Sequence, residues 1–376
     1  MIYLDNNATT RIDKRVYIKQ CEVLNKYYGN PSSLYPIGVS VNNMIQLARK
    51  RIADMINADL KTGDQIVFTS CATEGNNSVF HSFLNPIAEG KHIIVSAVEH
   101  PSVLNTAAYY ESLGCQVSYV GVDKNGNLNE TELIESIKEN TILISIMYVN
   151  SETGIVNNIA RIAHMVKKIN PNIVFHTDAV QAAGKIPIDV KNLGIDLLTL
   201  SGHKFHGPKG IGVLYIKAGI EIKPFLIGGH QENGLRAGTE NTASIVAIGE
   251  AASIAQTRLM EDQEKYVRNL RDKLEAYIEA NFPNSIIIGK NVLRVCNTSN
   301  IGFKNIDGSK LVLKLANKGI CISSGTACNS RSTKPSAVLR AMQVPDEYIK
   351  SIRISLSYET AENDIQEFLV ALKSII

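Results

Sequence analysis

The chain has 376 residues, 44% hydrophobic and 20% charged, which is enough apolar material for a sizeable core and excludes wholesale disorder. Its 39 Lys and Arg against 36 Asp and Glu leave a formal charge of +3 with the signs interleaved. No basic run exceeds three residues, which argues against a DNA-binding or other nucleic-acid protein. No stretch reaches the roughly 18 apolar residues of a membrane span, and the start Met1-Ile2-Tyr3-Leu4-Asp5 is neither a signal nor a transit peptide. Six cysteines (Cys21, Cys71, Cys115, Cys296, Cys321, Cys328) contain no CxxC pair, against a disulfide framework or zinc ribbon. The expectation is a soluble cytoplasmic protein with free thiols.

Short Ile/Val-rich runs over 65–69, 92–96, 116–120, 141–147, 172–176, 195–200 and 211–216 predict strands. Helical patterns over 42–57, 74–84, 101–113, 131–138 and 157–169 lie between them. That alternation predicts an α/β domain with a mostly parallel sheet, helices on both faces and ligands at the strand C-terminal ends. The texture changes near residue 255. A charged helix is predicted over 256–281, followed by strands at 285–288, 299–303 and 319–323 and helices at 309–317, 335–341 and 362–374. The expected division is a large α/β domain over 15–255 and a smaller α+β domain over 1–14 and 256–376.

Four segments carry chemistry. In the first, a strand ends in Thr69-Ser70-Cys71-Ala72-Thr73 and opens a helix, whose free N–H groups suit a phosphate; an ordinary capping box is the alternative. In the second, Asp178 follows a strand, where a carboxylate can hold a ring nitrogen protonated or simply cap the next helix. In the third, Ser201-Gly202-His203-Lys204-Phe205-His206-Gly207, a lysine beyond an apolar strand becomes a competent Schiff-base amine when desolvated. His203 and His206 lack a third partner at metal-ligand spacing, so no metal is expected. Cradle, carboxylate and lysine, in that order, are the groups that pyridoxal phosphate requires. In the fourth, 319–340, Cys321 alternates with Ile320 and Ile322 and reads as an inert core thiol. Cys328 has small polar neighbours with Arg331 and Lys334 nearby to favour thiolate, and Pro335 is placed to open a helix.

With these motifs in hand, the chain resembles the NifS/IscS-type cysteine desulfurases, fold-type I pyridoxal enzymes of the class-V aminotransferase family, over essentially its whole length. The matching segments are 3–10, 29–33, 69–76, 99–100, 176–181, 201–207, 234–241, 323–328 and 351–355. The resemblance implies that Lys204 bonds the cofactor and later moves the substrate's α-proton. It implies that Asp178 pairs with the pyridine nitrogen, Gln181 meets the phenolic oxygen, and His100 stacks on the ring and handles protons. Ala72, Thr73, Ser201 and His203 would hold the phosphate, with Thr239 reaching it from a neighbouring subunit of a homodimer. Arg353 would pair with the carboxylate of L-cysteine, and Cys328 would take the sulfur as a persulfide, leaving L-alanine. The sulfur would pass to an acceptor such as an iron–sulfur scaffold or a tRNA-thiolation enzyme.

Some positions depart from the family pattern. Ser151 stands where an asparagine contacts the cofactor, His230 and Asn233 where Gly and Arg are usual, and Ser357 where Gly is usual. A selenocysteine lyase or another pyridoxal aminotransferase or lyase is the alternative enzyme. A non-catalytic scaffold-binding protein is disfavoured, because it has no chemical need of Lys204, Asp178 and Cys328 together.

Overall fold

The structure, a computed structural model, describes residues 1–325 and 336–376; Cys328, Arg331, Lys334 and Pro335 lie outside the described residues. In chain order the elements begin with β1 (Ile2–Tyr3), α1 (Lys14–Lys26), α2 (Pro36–Met55), β2 (Gln65–Thr69), α3 (Ala72–Leu84), β3 (His92–Ser96), α4 (Pro101–Ser112) and β4 (Gln116–Val120). They continue with α5 (Glu130–Glu135), β5 (Thr141–Ser145), α6 (Ile159–Ile169), β6 (Val174–Asp178), α7 (Val190–Leu193), β7 (Leu197–Ser201), β8 (Gly212–Ile216) and α8 (Thr242–Met260). The remainder is α9 (Gln263–Asn281), β9 (Ser285–Ile288), β10 (Thr298–Phe303), α10 (Gly308–Ala316), β11 (Ile320–Cys321), β12 (Ser323–Ser324), α11 (Ala337–Ala341), β13 (Ile352–Ser355) and α12 (Glu362–Lys373).

Seven strands form one sheet in the order β2-β8-β7-β6-β5-β3-β4. Only β8 runs antiparallel to its neighbours, so the sheet is mostly parallel, as the alternation of strands and helices predicts. Side chains alternate across the strands, and each face is buried under helices. Phe68, Ile94, Ile144, Phe175 and Leu200 join one core with residues of α2, α6 and α8. Val67, Ile93, Leu143, Val174 and Leu197 join the other with residues of α3 and α4. The parallel strands β3, β5, β6 and β7 thereby end together at one edge, where the polar residues that follow them converge.

A four-stranded antiparallel sheet, β12-β13-β10-β9, carries a separate core with α9, α10 and α12. The first residues of the chain belong to that core: β1 pairs parallel with β11, and Ile2 and Leu4 are buried among its residues. Three predicted elements are corrected. The helix expected over 256–281 is two, because the chain breaks at Asp262, whose φ of 55° lies in the left-handed region. The strand expected over 319–323 is the pair β11 and β12, and strand alternation places Cys321 half-buried, opposite the buried Ile320 and Ile322, not in the core. The helix expected from 335 begins at Ala337, since the Ser336 hydroxyl accepts from the Leu339 amide and caps it. Residues 14–26 and 242–260 also form helices that the periodicity did not single out. Among the described residues, no helix is long and apolar enough to cross a membrane.

Helices α2 and α8 cross closely because Gly249 has no side chain: a Cβ there would lie 2.6 Å from the Cα of Ala48. Gly249→Val is therefore expected to cost about 1–3 kcal/mol of stability through overpacking, read as a lower urea midpoint with an unchanged slope.

Candidate active site

A cavity of about 260 Å³ opens where β3, β5, β6 and β7 end. Ala72, Thr73, His100, Asp178, Gln181, Ser201, His203, Lys204 and Arg353 all line it, so residues spread over most of the chain converge on one space. Thr239 does not line it; it is exposed, in the stretch before α8. Cys328 falls outside the described residues.

One end of the cavity is the N-terminus of α3. Its cap residue, Cys71, gives no side-chain hydrogen bond, whereas Asp13, Asn129, Asn158 and Asn241 cap their helices through side-chain oxygens. The capping box is not formed here: the Cys71 side chain gives no bond to the helix, and Glu74 turns back past it to accept from the Ser70 amide at 2.7 Å and holds Arg236 at 2.9 Å. The leading N–H groups of α3 are left for a ligand, and a helix N-terminus favours an anion. Gly212 of β8 lies directly beneath: a Cβ there would sit 2.5 Å from the Cys71 carbonyl carbon, so the strand can pass only as glycine. His203, beside this end, bonds through Nδ1 to the Thr9 hydroxyl at 3.1 Å. Burial first, and then the charge of Lys204, bring it down to about 4, so at neutral pH it is an uncharged hydrogen-bonding group. His206 is likewise brought down to about 4, chiefly by burial, and its Nδ1 lies 2.9 Å from the Arg11 carbonyl. Among the described residues, no group of His, Cys, Asp and Glu is placed to hold a metal ion.

At the floor, Asp178 is buried at the last position of β6. One carboxylate oxygen accepts from the Val180 amide at 3.0 Å and the other from Asn76 Nδ2 at 2.9 Å. Asn76 also donates to the Ser102 hydroxyl at 2.8 Å, which ties the carboxylate to the start of α4. His100 caps that helix, its Nδ1 accepting from the Ser102 amide at 3.1 Å. An Nδ1 that accepts places the neutral ring's proton on Nε2. Its neighbour Glu99 is held well above the usual carboxylate range, mainly by burial, although the Met147 amide donates to it.

The opposite wall is the segment after β1. Lys204 Nζ donates to the carbonyls of Asn7 and Ala8 at 2.7 and 2.8 Å. Gln181 Nε2 donates to the same Asn7 carbonyl at 3.0 Å. Asn7 Nδ2 reaches the Thr298 hydroxyl at 2.9 Å and the Ser151 carbonyl at 3.2 Å. Arg353, 2% exposed, donates from Nη1 to that Ser151 carbonyl at 3.1 Å and from Nη2 to Asp5 at 2.7 Å. Among the described residues its Nε has no hydrogen-bond partner. A buried orphan donor at a cavity wall marks the place of an acceptor that a ligand brings.

These residues fit pyridoxal phosphate. An uncapped helix N-terminus suits the phosphate, a buried carboxylate suits the ring nitrogen, and an amine with carbonyl partners stands across from both. Sequence reasoning did not assign roles to Asn7, Asn76, Ser102 or Asp5. Residues 3–10 did stand out as a shared segment, but nothing in their composition tells a carbonyl that receives Lys204 from an ordinary turn.

The class-V aminotransferase family matches residues 2–368. The chain is 44% identical to cysteine desulfurase 2 of Trichormus variabilis, covering all of this chain and 93% of the relative. It is 42% identical to cysteine desulfurase NifS of Azotobacter vinelandii, covering all of this chain and 92% of that one. Among solved structures, a NifS-like protein superposes with a TM-score of 0.92 at 36% identity, covering all of this chain and 98% of its own. A structure described as SspA in complex with cysteine has a TM-score of 0.80 at 34% identity, covering 96% of this chain and all of its own. The chain belongs to the class-V aminotransferase family and, within it, to the pyridoxal-phosphate-dependent cysteine desulfurases.

Proposed function

We propose that the chain takes sulfur from L-cysteine, leaves L-alanine, and carries the sulfur on Cys328 to an acceptor protein. The observation that carries this reading is the single cavity that gathers the open α3 N-terminus, Asp178, Lys204, His100 and Arg353. Bound pyridoxal phosphate supplies an electron sink that acidifies the substrate's α-carbon and weakens its Cβ–S bond. Asp178 keeps the ring nitrogen protonated, and Asn76 and the Val180 amide hold that carboxylate in place. Ala72, Thr73, Ser201 and His203 receive the phosphate. Lys204 holds the cofactor and afterwards moves the α-proton, with the carbonyls of Asn7 and Ala8 fixing where its amine rests. Arg353 orients the substrate carboxylate.

As thiolate, Cys328 attacks the substrate sulfur while the Cβ–S electron pair stays on carbon. After protonation, cysteine and the Cys328 thiol have become alanine and the Cys328 persulfide, with no outside oxidant. The acceptor is an iron–sulfur scaffold or a tRNA-thiolation enzyme. A cytoplasmic location belongs to the same reading, supported by the five described cysteines, which form no disulfide. Domains over 15–255 and over 1–14 with 256–376 place the cofactor on the first unit and the Cys328 segment on the second.

Purified protein with pyridoxal phosphate, L-cysteine and a reductant is expected to form alanine, one per cysteine consumed. Cys328→Ala and Lys204→Ala are each expected to form none. Alanine from Cys328→Ala at the wild-type rate would instead favour an aminotransferase or lyase that needs no thiol.

Arg353→Lys keeps a cation beside Asp5 but loses the planar fork. One charge-assisted hydrogen bond contributes about 1.5–3 kcal/mol, so kcat/KM for cysteine should fall about 10- to 100-fold, mostly through KM. Unchanged kinetics would remove Arg353 from the carboxylate site.

The homodimer rests on Thr239, which is exposed and outside this chain's own cavity, as a residue serving a neighbouring subunit would be. Sedimentation of the cofactor-loaded protein should give twice the chain mass; a monomer with full cofactor occupancy would contradict it.

A further inference from the structure

Lys185 has no part in the chemistry above, yet it lies against the site. It follows Gln181 by four residues and is 8% exposed. Its Nζ donates to Gln181 Oε1 and, at 3.5 Å, to Asn7 Oδ1. Among the described residues no carboxylate forms an ion pair with it. The charged groups that bear on it from other elements are the cations Lys204 and Arg353, while the nearby Cys296 thiol is pushed up to about 11 by burial and stays neutral. Glu264, His206 and Arg258 line the cavity behind it. A buried ammonium placed this way costs stability that an apolar side chain of similar volume would not. Its cost points to a use.

That use is visible in the Gln181 amide. Oε1 is taken by Lys185 and one Nε2 hydrogen by the Asn7 carbonyl at 3.0 Å. The second Nε2 hydrogen is what remains, on a residue that lines the active-site cavity. A flipped amide would set its NH₂ against the Lys185 ammonium and its oxygen against the Asn7 carbonyl. Burial, with the charge of Lys204 second, brings Lys185 down to about 7, and both its protonation states can donate to Oε1.

We propose that Lys185 is a positioning residue, which by donating to Gln181 Oε1 holds the amide's remaining N–H toward the phenolic oxygen of bound pyridoxal phosphate. This rests on the reading of Gln181 given above. A hydrogen bond to that oxygen stabilises its anionic form, so losing the bond raises the pH at which the bound cofactor's visible absorption titrates.

The test compares this midpoint in the wild-type protein, Lys185→Met, Gln181→Leu and the double variant, each loaded with pyridoxal phosphate. Gln181→Leu is expected to raise the midpoint by about one pH unit, the scale of one hydrogen bond to a charged group. Lys185→Met is expected to raise it by a similar amount, and the double variant no further than Gln181→Leu alone. Lys185→Leu gives the same comparison should the methionine variant fail to fold. A wild-type midpoint in the Lys185 variants beside a shifted Gln181→Leu overturns the proposal. Shifts that add in the double variant overturn it as well, since Lys185 would then act by charge alone. An unmoved Gln181→Leu overturns the placement of Gln181, and the role of Lys185 with it.

Discussion

One backbone carbonyl, that of Asn7, holds the site together. It accepts from Lys204 Nζ at 2.7 Å and from Gln181 Nε2 at 3.0 Å, so the amine and the amide are set by the same oxygen. The residue that offers it is fixed by the smaller sheet and the turn before it: its amide donates to the Ser355 hydroxyl at 2.9 Å, and Asn297 donates to its side-chain oxygen at 3.1 Å. A carbonyl with two lone pairs is fully used by two donors, and the Ala8 carbonyl next along the chain takes a further bond from Lys204 Nζ at 2.8 Å, so this one turn of backbone receives both side chains. The position of the reactive lysine therefore depends on how β1 is seated on the smaller sheet, far from Lys204 in sequence.

Charge around that carbonyl is unevenly distributed. Lys204, Lys185 and Arg353 bring three basic side chains to a space bordered by Asp178, with Asp5 bonded to Arg353. Burial works against charge here: His203 is neutral at neutral pH, the charged form of Glu99 is disfavoured, and Lys185 is brought down to about 7, where ammonium and amine are both populated. Cations with few buried counterions make a site that gains from admitting a phosphate and a carboxylate. The same desolvation makes each uncompensated group costly in an empty site, so ligand binding and local stability are coupled.

Much of this was legible in the residues. The strand runs were found to within a few positions because buried parallel strands read as unbroken Ile/Val segments. Asp178 and Lys204 stood out together, because a phosphate cradle, a carboxylate and a lysine follow one another along the chain, although Asp178 alone could equally have capped a helix. Three things were hidden. The break at Asp262 depends on one residue adopting a left-handed conformation inside a charged helical pattern. Cys321 has the same alternation whether its face is covered or open. Asn7, Asn76 and Ser102 act through hydrogen bonds that form only once strands distant in sequence lie side by side, and single polar residues carry no period that would announce this.

Arg353 shows how such hidden partners set the chemistry. Asp5 accepts from its Nη2 at 2.7 Å and neutralises part of its charge, while Glu152 also feels the charge of the same guanidinium. Two ionised carboxylates would leave little for a third from the substrate. Glu152 is half-buried, and desolvation raises its carboxyl to about 7 although the Ser336 hydroxyl donates to it at 2.5 Å, so below neutrality it is mostly protonated. Arg353 then has one full counterion and, among the described residues, an unpartnered Nε. As Glu152 ionises above pH 7, it competes with an incoming carboxylate. Desolvation of a glutamate that touches no substrate thus bears on how much of the arginine's charge remains for one.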